Sequence, residues 1–573
     1  MRVEGRLAVV GLVLVLGLAA VGARLWWLQV HSRKEILATP YQDRRTLALL
    51  ERLRKQGILS PGDQGRVRVD ARRLEQAVGT ARARRIRRLV ARARLYPGQA
   101  HFDPRLLRIR APQRRWSGPV VLRGEIHDRR GRVLARGGPH TPGGRRYPLG
   151  ACTQPVLGFW HAVFGSRGLE AALEPVLSTP DQNRGATRRL RGRPARPGVE
   201  VWLTLDGRLQ HRLWQLMQGR RGAAVVLEVA TGAVLAAVSR PAFDPNTPDP
   251  ADWRRARREQ RGRRLRSRAW EELYPPGSTF KLVTAAAWLE DHPPSREPVP
   301  VEYCPGRDRR LHISDLSPHG RLDLGGALVR SCNVFFARLG VRLGPRVPAL
   351  ARRLGFNRPL DLIPQLGTVT LPAQPSLAYA RYRYRRRATP TGLRVERSLE
   401  PFTSFRRDPK IVAQCAIGQN LVAATPLQMA VVAQTIANGG FLVPPHLVRS
   451  IGRPGAGREY QLLDPPRGRQ VISPETAAFL RRAMVEVMRR GTGRRAPALR
   501  LGEKVIPVAG KTGTAETGRP GDKPHAWFVG FAPADHPRLA IALVLENAGL
   551  GGRQAAPLAV AMLAAALEEE KAP

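Results

Sequence analysis

The chain has 573 residues, which is too many for one ordinary hydrophobic core, so its length predicts several domains. An apolar fraction of 43% and a charged fraction of 25% are typical of a globular protein and exclude a chain that is disordered throughout. The formal net charge of +51 comes from Arg spread from end to end, with no basic stripe interleaved with aromatic residues. This pattern argues against nucleic acid as a partner.

The first apolar segment, residues 7–23, contains no charged residue. Trp26 and Trp27 follow it, as in the aromatic belt of a membrane interface, so we expect an uncleaved transmembrane anchor at 7–28 after a cytoplasmic tail at 1–6. A cleaved signal peptide is the alternative. More Lys and Arg follow this segment than precede it, which by the positive-inside rule favours a cytoplasmic location for the rest of the chain.

The sequence pattern changes near residue 120. Residues 29–119 are predicted to form a basic helical or divergent segment, and from 120 onward short strand-like runs are broken by Gly and Pro. A hairpin turn is predicted at 128–131, and the Pro- and Arg-rich stretch 186–198 is predicted to be a linker.

Paired strands recur on both sides of a helical middle region. The segment 223–239 predicts two paired strands, and 526–531 with 539–546 predicts another hairpin, followed by a helix at 555–570. Strands at both ends with helices between them predict an α+β domain over 201–573.

The stretch "YPPGSTFKLV" holds the first chemical signal, Ser278 followed three residues later by Lys281. Only eight of the 96 Lys and Arg residues are Lys, and this one lies in an apolar helix, where burial lowers the pKa of an amine. A neutral Lys can take a proton from a Ser hydroxyl, whereas Arg stays charged. A capping Ser beside a solvated Lys is the alternative.

Two further motifs, "SCN" at 331–333 and "KTGT" at 511–514, complete a set of residues that suits acyl transfer. Ser278 is expected to be the nucleophile and Lys281 its base, with a charged Lys511 nearby helping to lower the pKa of that base. Ser331 is expected to relay protons and Asn333 to bond a substrate amide. The remaining predicted site residues, which follow from "KTGT", are Lys511 and Thr512 for an anionic substrate terminus, Gly513 for close approach of a substrate backbone, and the backbone N–H groups of Ser278 and Thr514 as the oxyanion hole.

Competing kinds of site lack their motifs. There is no Gly-x-Ser-x-Gly elbow, the Walker-loop spacing fails because Val505 stands where Gly is needed, and the four widely separated Cys form no Cys-x-x-Cys pair. We therefore expect no metal and no cofactor in the reaction, and we expect the four Cys to be small buried residues.

The triplet of Ser-x-x-Lys, Ser-x-Asn and Lys-Thr-Gly resembles that of penicillin-binding proteins and serine β-lactamases. The segments "RGEIHDRRGRVLA" at 123–135, "AIGQNLVAATPLQMA" at 416–430 and "KTGTAETGRPGDKPHAWFVGFAP" at 511–533 also resemble class B penicillin-binding proteins, in that family's order. This resemblance implies a pedestal at 120–200 and a transpeptidase domain at 201–573, with an antiparallel sheet, flanking helices and a helical subdomain.

The resemblance also implies the substrate and the partners. They would be peptidoglycan stem peptides ending in D-Ala-D-Ala, β-lactams as covalent inhibitors of Ser278, the membrane, and a polytopic glycan polymerase of the shape, elongation and division class. The catalytic domain would lie outside the inner (cytoplasmic) membrane. Two departures are the long stretch 35–119 before "RGEIHDRRG" and Asn420, which stands where many relatives have Gly.

Three other functions stay open at this point. A D,D-carboxypeptidase or β-lactamase would hydrolyse the acyl-enzyme, although no Leu-Asn pair is present for the usual deacylation motif of class A β-lactamases. A non-catalytic scaffold of a division or elongation complex, or a β-lactam sensor, would not need the complete set of site residues.

Overall fold

The computed structural model describes residues 53, 56, 58–61, 67–79, 83, 86, 120–138, 144–161, 164–178, 188–190, 193–247, 249–259, 263–367, 369–389, 392–452 and 460–571. The chain divides into two compact units, Met1–Pro119 and Val120–Pro573. The predicted anchor at 7–28 lies outside the described residues. Within the described ranges, no helix is both long and apolar enough to cross a bilayer.

The described part of the first unit holds a small hairpin that the sequence did not predict. Strand Leu59–Pro61 pairs antiparallel with Val67–Val69, and helix Ala71–Val78 follows. Asp70 is the N-cap of this helix, and its carboxylate accepts a hydrogen bond from the backbone N–H of Arg73 at 3.0 Å.

A five-stranded antiparallel sheet, here called the central sheet, organises the second unit. Its strands, in spatial order, are Val234–Arg240, Gly222–Glu228, Leu539–Leu545, His525–Ala532 and Ala509–Ala515. Both predicted hairpins are confirmed in this sheet, and Ala509–Ala515, which carries Lys511, forms one edge of it. An edge strand has one side of its backbone unpaired within the sheet.

Helices cover both faces of the central sheet. In Leu539–Leu545, alternate residues belong to two different hydrophobic clusters, as the two-residue period of a strand requires. Pro426–Ala437, in which every residue is buried, packs on one face, and Gly551–Lys571 and Gly207–Leu216 pack on the other. The sheet therefore holds its edge strand on a rigid core.

A second, mixed sheet joins residues on both sides of the predicted boundary at 200. Its spatial order is Tyr460–Leu462, Val448–Gly452, Val201–Leu203, Ile126–His127 and Val133–Ala135. The hairpin turn predicted at 128–131 is confirmed, since the N–H of Gly131 donates to the carbonyl oxygen of Asp128 at 3.1 Å. The division into a pedestal and a transpeptidase domain remains a prediction.

The linker predicted at 186–198 is wrong. Arg188–Leu190 and Arg193–Pro197 form an antiparallel pair, and the second of these strands pairs in parallel with Val120–Leu122. Its parallel partner lies 75 residues earlier in the chain, so the local Pro and Arg content could not reveal the pairing.

The remaining elements surround the two sheets. The other strands are Phe159–His161, Gly165–Arg167, Val301–Cys304, Arg307–Asp308, Ile313–Ser314, Gly320–Asp323, Leu377–Ala378, Ala380–Thr389, Gly392–Pro401, Val422–Ala423, Phe441–Leu442, Arg469–Gln470, Leu499–Leu501 and Lys504–Ile506. The other α-helices are Gln154–Leu157, Leu169–Ala172, Glu174–Leu177, Pro250–Arg258, Lys281–Asp291, Leu324–Arg330, Asn333–Leu343, Arg346–Arg353, Pro409–Ala416 and Pro474–Arg489. Short 3-10 turns lie at Gly150–Cys152, Arg263–Leu265, Gly277–Phe280 and Pro364–Leu366.

A buried ion network holds the segment that opens the second unit. Glu170 is fully buried and accepts hydrogen bonds from Arg123 at 2.7 Å, from Arg145 at 2.7 Å and from the hydroxyl of Tyr147 at 3.2 Å. Burial opposes ionisation of this carboxyl, but the two guanidinium groups lower the pKa of Glu170 overall. Arg123 also pairs with Glu174, whose side chain is 47% exposed.

Glu170→Gln should lower the unfolding temperature of the purified protein. The substitution keeps the side-chain size but removes the carboxylate from two buried guanidinium groups, and breaking a buried pair costs about 3–5 kcal/mol. Glu174→Gln is the matched control, because an exposed pair contributes at most about 1 kcal/mol. Thermal unfolding followed by circular dichroism checks this, and equal shifts in the two variants would contradict it.

Candidate active site

The segment that carries Ser278 approaches the edge strand of the central sheet backbone to backbone. Gly277 has a φ of 53°, and a Cβ there would lie 2.7 Å from the carbonyl oxygen of Thr514, so the position requires Gly. The turn Gly277–Phe280 continues into helix Lys281–Asp291. Ser278 is partly exposed and lines a cleft of about 800 Å³.

Two fully buried lysines meet at Ser331. The Nζ of Lys281 donates to the Ser331 carbonyl oxygen at 2.6 Å and to Asn333 Oδ1 at 2.7 Å, and it lies 3.4 Å from Ser331 Oγ. The Nζ of Lys511 donates to Ser331 Oγ at 2.9 Å and to the carbonyl oxygen of Thr512 at 3.0 Å. Residues from three separate segments of the chain, at 281, 331–333 and 511, are thus brought together.

The hydrogen bonds of Lys281 run to Ser331 and Asn333, whereas Ser278 lies at the cleft surface. Ser331 Oγ is therefore the hydroxyl that links the two amines, and Ser278 presents its hydroxyl where a substrate can enter. Catalytic hydrogen bonds often tighten only when the substrate is bound.

Burial shifts both amines away from the ordinary behaviour of Lys. It lowers the pKa of Lys281 to about 8, although the negative charge of Asp315 and the Cys332 thiol act in the opposite direction. It also lowers the pKa of Lys511 well below its usual range, and the positive charge of Lys281 adds to that shift. The sequence analysis expected this repulsion to lower the pKa of Lys281; it is mutual, and here it lowers the pKa of Lys511, the amine that is harder to charge.

Asp315 is a site residue that the sequence analysis missed. Its carboxylate accepts hydrogen bonds from the backbone N–H groups of Asn333 at 2.6 Å and Val334 at 3.2 Å, and from the Cys332 thiol at 3.2 Å. It thus caps helix Asn333–Leu343 from a distant part of the chain. No local pattern marks it, because its partners lie 17–19 residues away.

Ser331 ends helix Leu324–Arg330 in a left-handed conformation, with a φ of 60°. Non-Gly residues rarely adopt this conformation, which stores strain of about 1–3 kcal/mol. The sharp turn aims the Ser331 side chain at Lys511 while the next helix starts at Asn333.

The edge strand presents Thr512 and Thr514 on the face opposite to Lys511 and Gly513. Thr512 is buried and its hydroxyl lies 2.6 Å from that of Thr492, a second residue that the sequence analysis missed. Thr514 is exposed in the cleft, where its hydroxyl accepts a hydrogen bond from the N–H of Gly551 at 3.3 Å.

The structure corrects the reason given for Gly513. A Cβ there would lie 2.9 Å from the carbonyl oxygen of Pro276, 3.0 Å from Thr279 and 3.0 Å from Trp527. A side chain at position 513 would point at the segment 276–279, which carries Ser278, so Gly is needed for the strand to pack against that segment. The close approach that Gly513 allows is therefore to this segment, where the sequence analysis expected a substrate backbone.

Asn420, named above as a departure from the pattern that the resemblance implies, also lines the cleft. Its φ of 58° lies in the left-handed region that Gly prefers and Asn tolerates, and its side-chain amide donates to Gln414 at 2.7 Å. The backbone conformation therefore accommodates this departure. The four Cys are buried, as predicted, and the structure shows them to be free thiols, which the sequence had left open.

Comparison with known proteins places this site in a family. A family model described as the penicillin binding protein transpeptidase domain matches residues 222–564. The Mycolicibacterium smegmatis protein named peptidoglycan D,D-transpeptidase PbpA is 34% identical over 455 residues, covering 74% of this chain and 84% of that protein. The Haemophilus influenzae protein named peptidoglycan D,D-transpeptidase MrdA is 31% identical over 430 residues, covering 69% of this chain and 61% of that protein.

The chain is also similar to solved structures of a penicillin-binding protein. The crystal structure of PBPA from Mycobacterium tuberculosis has a TM-score of 0.60 and 31% identity, covering 78% of this chain and 98% of that chain. The same protein, solved as a penicillin G acyl-enzyme complex, has a TM-score of 0.59 and 31% identity, covering 78% of this chain and 99% of that chain.

Gly513→Ala should slow acylation by penicillin about 10–100-fold. The added methyl group would push the edge strand away from the segment 276–279, which carries Ser278, and so misplace the reacting groups. Gly325→Ala is the matched control, since a Cβ there meets no atom closer than 3.7 Å. Stopped-flow measurement of the acylation rate constant checks this. Unchanged acylation in Gly513→Ala would show that the strand tolerates the methyl group.

Proposed function

The chain belongs to the class B penicillin-binding proteins and is a serine-type peptidoglycan D,D-transpeptidase of cell-wall synthesis, and we propose that Ser278 carries its acyl-enzyme. The observation that supports this role most strongly is the convergence of two buried lysines on Ser331 beside the cleft that Ser278 lines.

In the first step, neutral Lys281 takes the proton of the Ser278 hydroxyl, and Ser278 Oγ attacks the carbonyl carbon of the D-Ala-D-Ala bond. With a pKa of about 8, roughly one-tenth of the Lys281 side chains are neutral at pH 7. This fraction of the enzyme can accept the proton of Ser278. The C–N bond then breaks and the terminal D-Ala leaves as an amine, which receives its proton through Lys281 and Ser331.

Lys511 and Thr512 hold the carboxylate of that terminal D-Ala. A bound carboxylate favours the charged form of Lys511, and the resulting positive charge makes a second charge on Lys281 less favourable. Substrate binding thereby promotes the neutral form of the base. Asn333, fixed by its hydrogen bond from Lys281, bonds an amide of the substrate.

The backbone N–H groups of Ser278 and Thr514 form the oxyanion hole. The close approach of Gly277 to Thr514 supports this, because it brings both segments to one side of the cleft. Each such donor contributes about 3–4 kcal/mol to stabilisation of the tetrahedral intermediate. The amine of a second stem peptide then attacks the carbonyl carbon of the acyl-enzyme, and the ester C–O bond to Ser278 breaks. The proton of the amine passes through Ser331 and Lys281 to Ser278 Oγ, which regenerates the hydroxyl.

The cellular setting follows from the family and the sequence. Residues 7–28 anchor the chain in the bacterial inner membrane as a single span, and the catalytic domain faces the extracytoplasmic side, where stem peptides are. Long domains are translocated largely regardless of nearby charge, which offsets the unfavourable distribution of Lys and Arg. A polytopic glycan polymerase of the shape, elongation and division class supplies the strands that this enzyme cross-links.

A labelling experiment with fluorescent penicillin tests the role of Ser278. Membranes containing the native chain or Ser295→Ala, an exposed Ser outside the cleft, should be labelled, whereas Ser278→Ala should react at least about 10⁴-fold more slowly. Labelling that persists in Ser278→Ala would contradict the assignment, and no labelling of the native chain would favour a scaffold.

Products from stem peptides ending in D-Ala-D-Ala, analysed by mass spectrometry, distinguish the two reactions of the acyl-enzyme. Cross-linked dimers are expected, and release of D-Ala without dimers would identify a D,D-carboxypeptidase.

A further inference from the structure

A buried histidine outside the cleft faces two carboxylates without a hydrogen bond to either. His127 lies in the strand Ile126–His127 of the mixed sheet, is 8% exposed, and stacks on Trp202 with ring centroids 4.6 Å apart. Its Nε2 is buried and makes no hydrogen bond to any described residue. That atom lies 3.7 Å from Glu125 Oε2 and 3.3 Å from Glu200 Oε2.

The register of the mixed sheet places these three side chains on one face. Val201 pairs in parallel with Ile126, so Glu200 and Glu125, each one residue earlier, lie side by side on adjacent strands. Glu125 and His127 are two residues apart and therefore point to the same face.

The tautomer of neutral His127 can be deduced from its other ring nitrogen, Nδ1. Nδ1 lies 3.3 Å from the carbonyl oxygen of Gly131, which can only accept, so Nδ1 carries the proton. In neutral His127 the lone pair of Nε2 then points toward the two carboxylates, from where it can bind the same metal cation as they do. A backbone carbonyl that orients the far nitrogen in this way is typical of a metal-binding histidine.

We propose that Glu125, His127 and Glu200 bind one Zn²⁺ ion, with water as the fourth ligand. Zinc at about 2.0–2.1 Å from each tetrahedral ligand requires ligand atoms about 3.3–3.4 Å apart, close to the two distances from Nε2. All three ligand atoms lie within 4.8 Å of one another. An imidazole with two carboxylates suits zinc better than magnesium or calcium.

The ion has a structural task. None of its three ligands lines the cleft of Ser278. It joins the strand Ile126–His127 to the residue that precedes Val201–Leu203, and so fastens the segment around 123–135 to the beginning of the predicted transpeptidase domain. A ligand that binds only the folded state raises the unfolding temperature.

Zinc binding by the full chain in detergent tests the proposal. After chelation and dialysis against Zn²⁺, the native protein should hold one more equivalent of zinc than His127→Gln, and zinc should raise its unfolding temperature by about 2–5 °C more. His536→Gln, an exposed histidine beside Asp535, is the matched control and should behave as the native protein does. Equal zinc content in His127→Gln and His536→Gln would overturn the proposal.

Cobalt spectra of the native protein keep the proposal testable if His127→Gln fails to fold. Asp315, His319 and Cys332 are the other group of potential ligands among the described residues, and it contains a thiol. Co²⁺ at the proposed site has only nitrogen and oxygen ligands, so it should add weak visible bands without an intense thiolate charge-transfer band. If every bound Co²⁺ ion shows thiolate ligation, or if none binds, the proposal is wrong.

Discussion

The proposed mechanism depends on two lysine amines that are held out of water around one hydroxyl. Lys281 and Lys511 are both fully buried, and both lie within 3.4 Å of Ser331 Oγ. Burial makes the charge on each amine costly, and their proximity makes two charges costlier still. A base that is available near neutral pH is therefore a consequence of packing. Arg at position 281 could not lose its proton and could not serve as this base.

The fold serves this arrangement by fixing three segments against one another. The central sheet, buried on both faces, holds the edge strand that carries Lys511. Because Gly277 and Gly513 have no side chains, the backbone of the segment that carries Ser278 can contact the backbone of that strand. Asp315 anchors the start of the helix that carries Asn333. Asp315 also limits the shift of Lys281, because its charge stabilises the ammonium form. The same carboxylate thus positions the site and moderates its base.

Much of the site could be predicted from sequence because its information is local. The Ser278–Lys281 spacing, the strand before Lys511 and the hairpins of the central sheet each depend on neighbouring residues. Asp315, Thr492 and the strands at 188–197 could not be predicted, since their partners are distant in the chain. The purpose of Gly513 was misassigned for the same reason: the atoms that exclude a side chain belong to Pro276, Thr279 and Trp527.

The central claim is that Lys281 acts as a neutral base whose pKa is set by burial. The most direct measurement is the pH dependence of Ser278 acylation at saturating penicillin, followed by stopped-flow from pH 5 to 11. Because only the neutral amine accepts the proton, the rate should fall about tenfold per pH unit on the acidic side and level off above a midpoint at about 8 or lower. A midpoint near 10.5, the ordinary value for Lys, or a rate independent of pH would contradict the account.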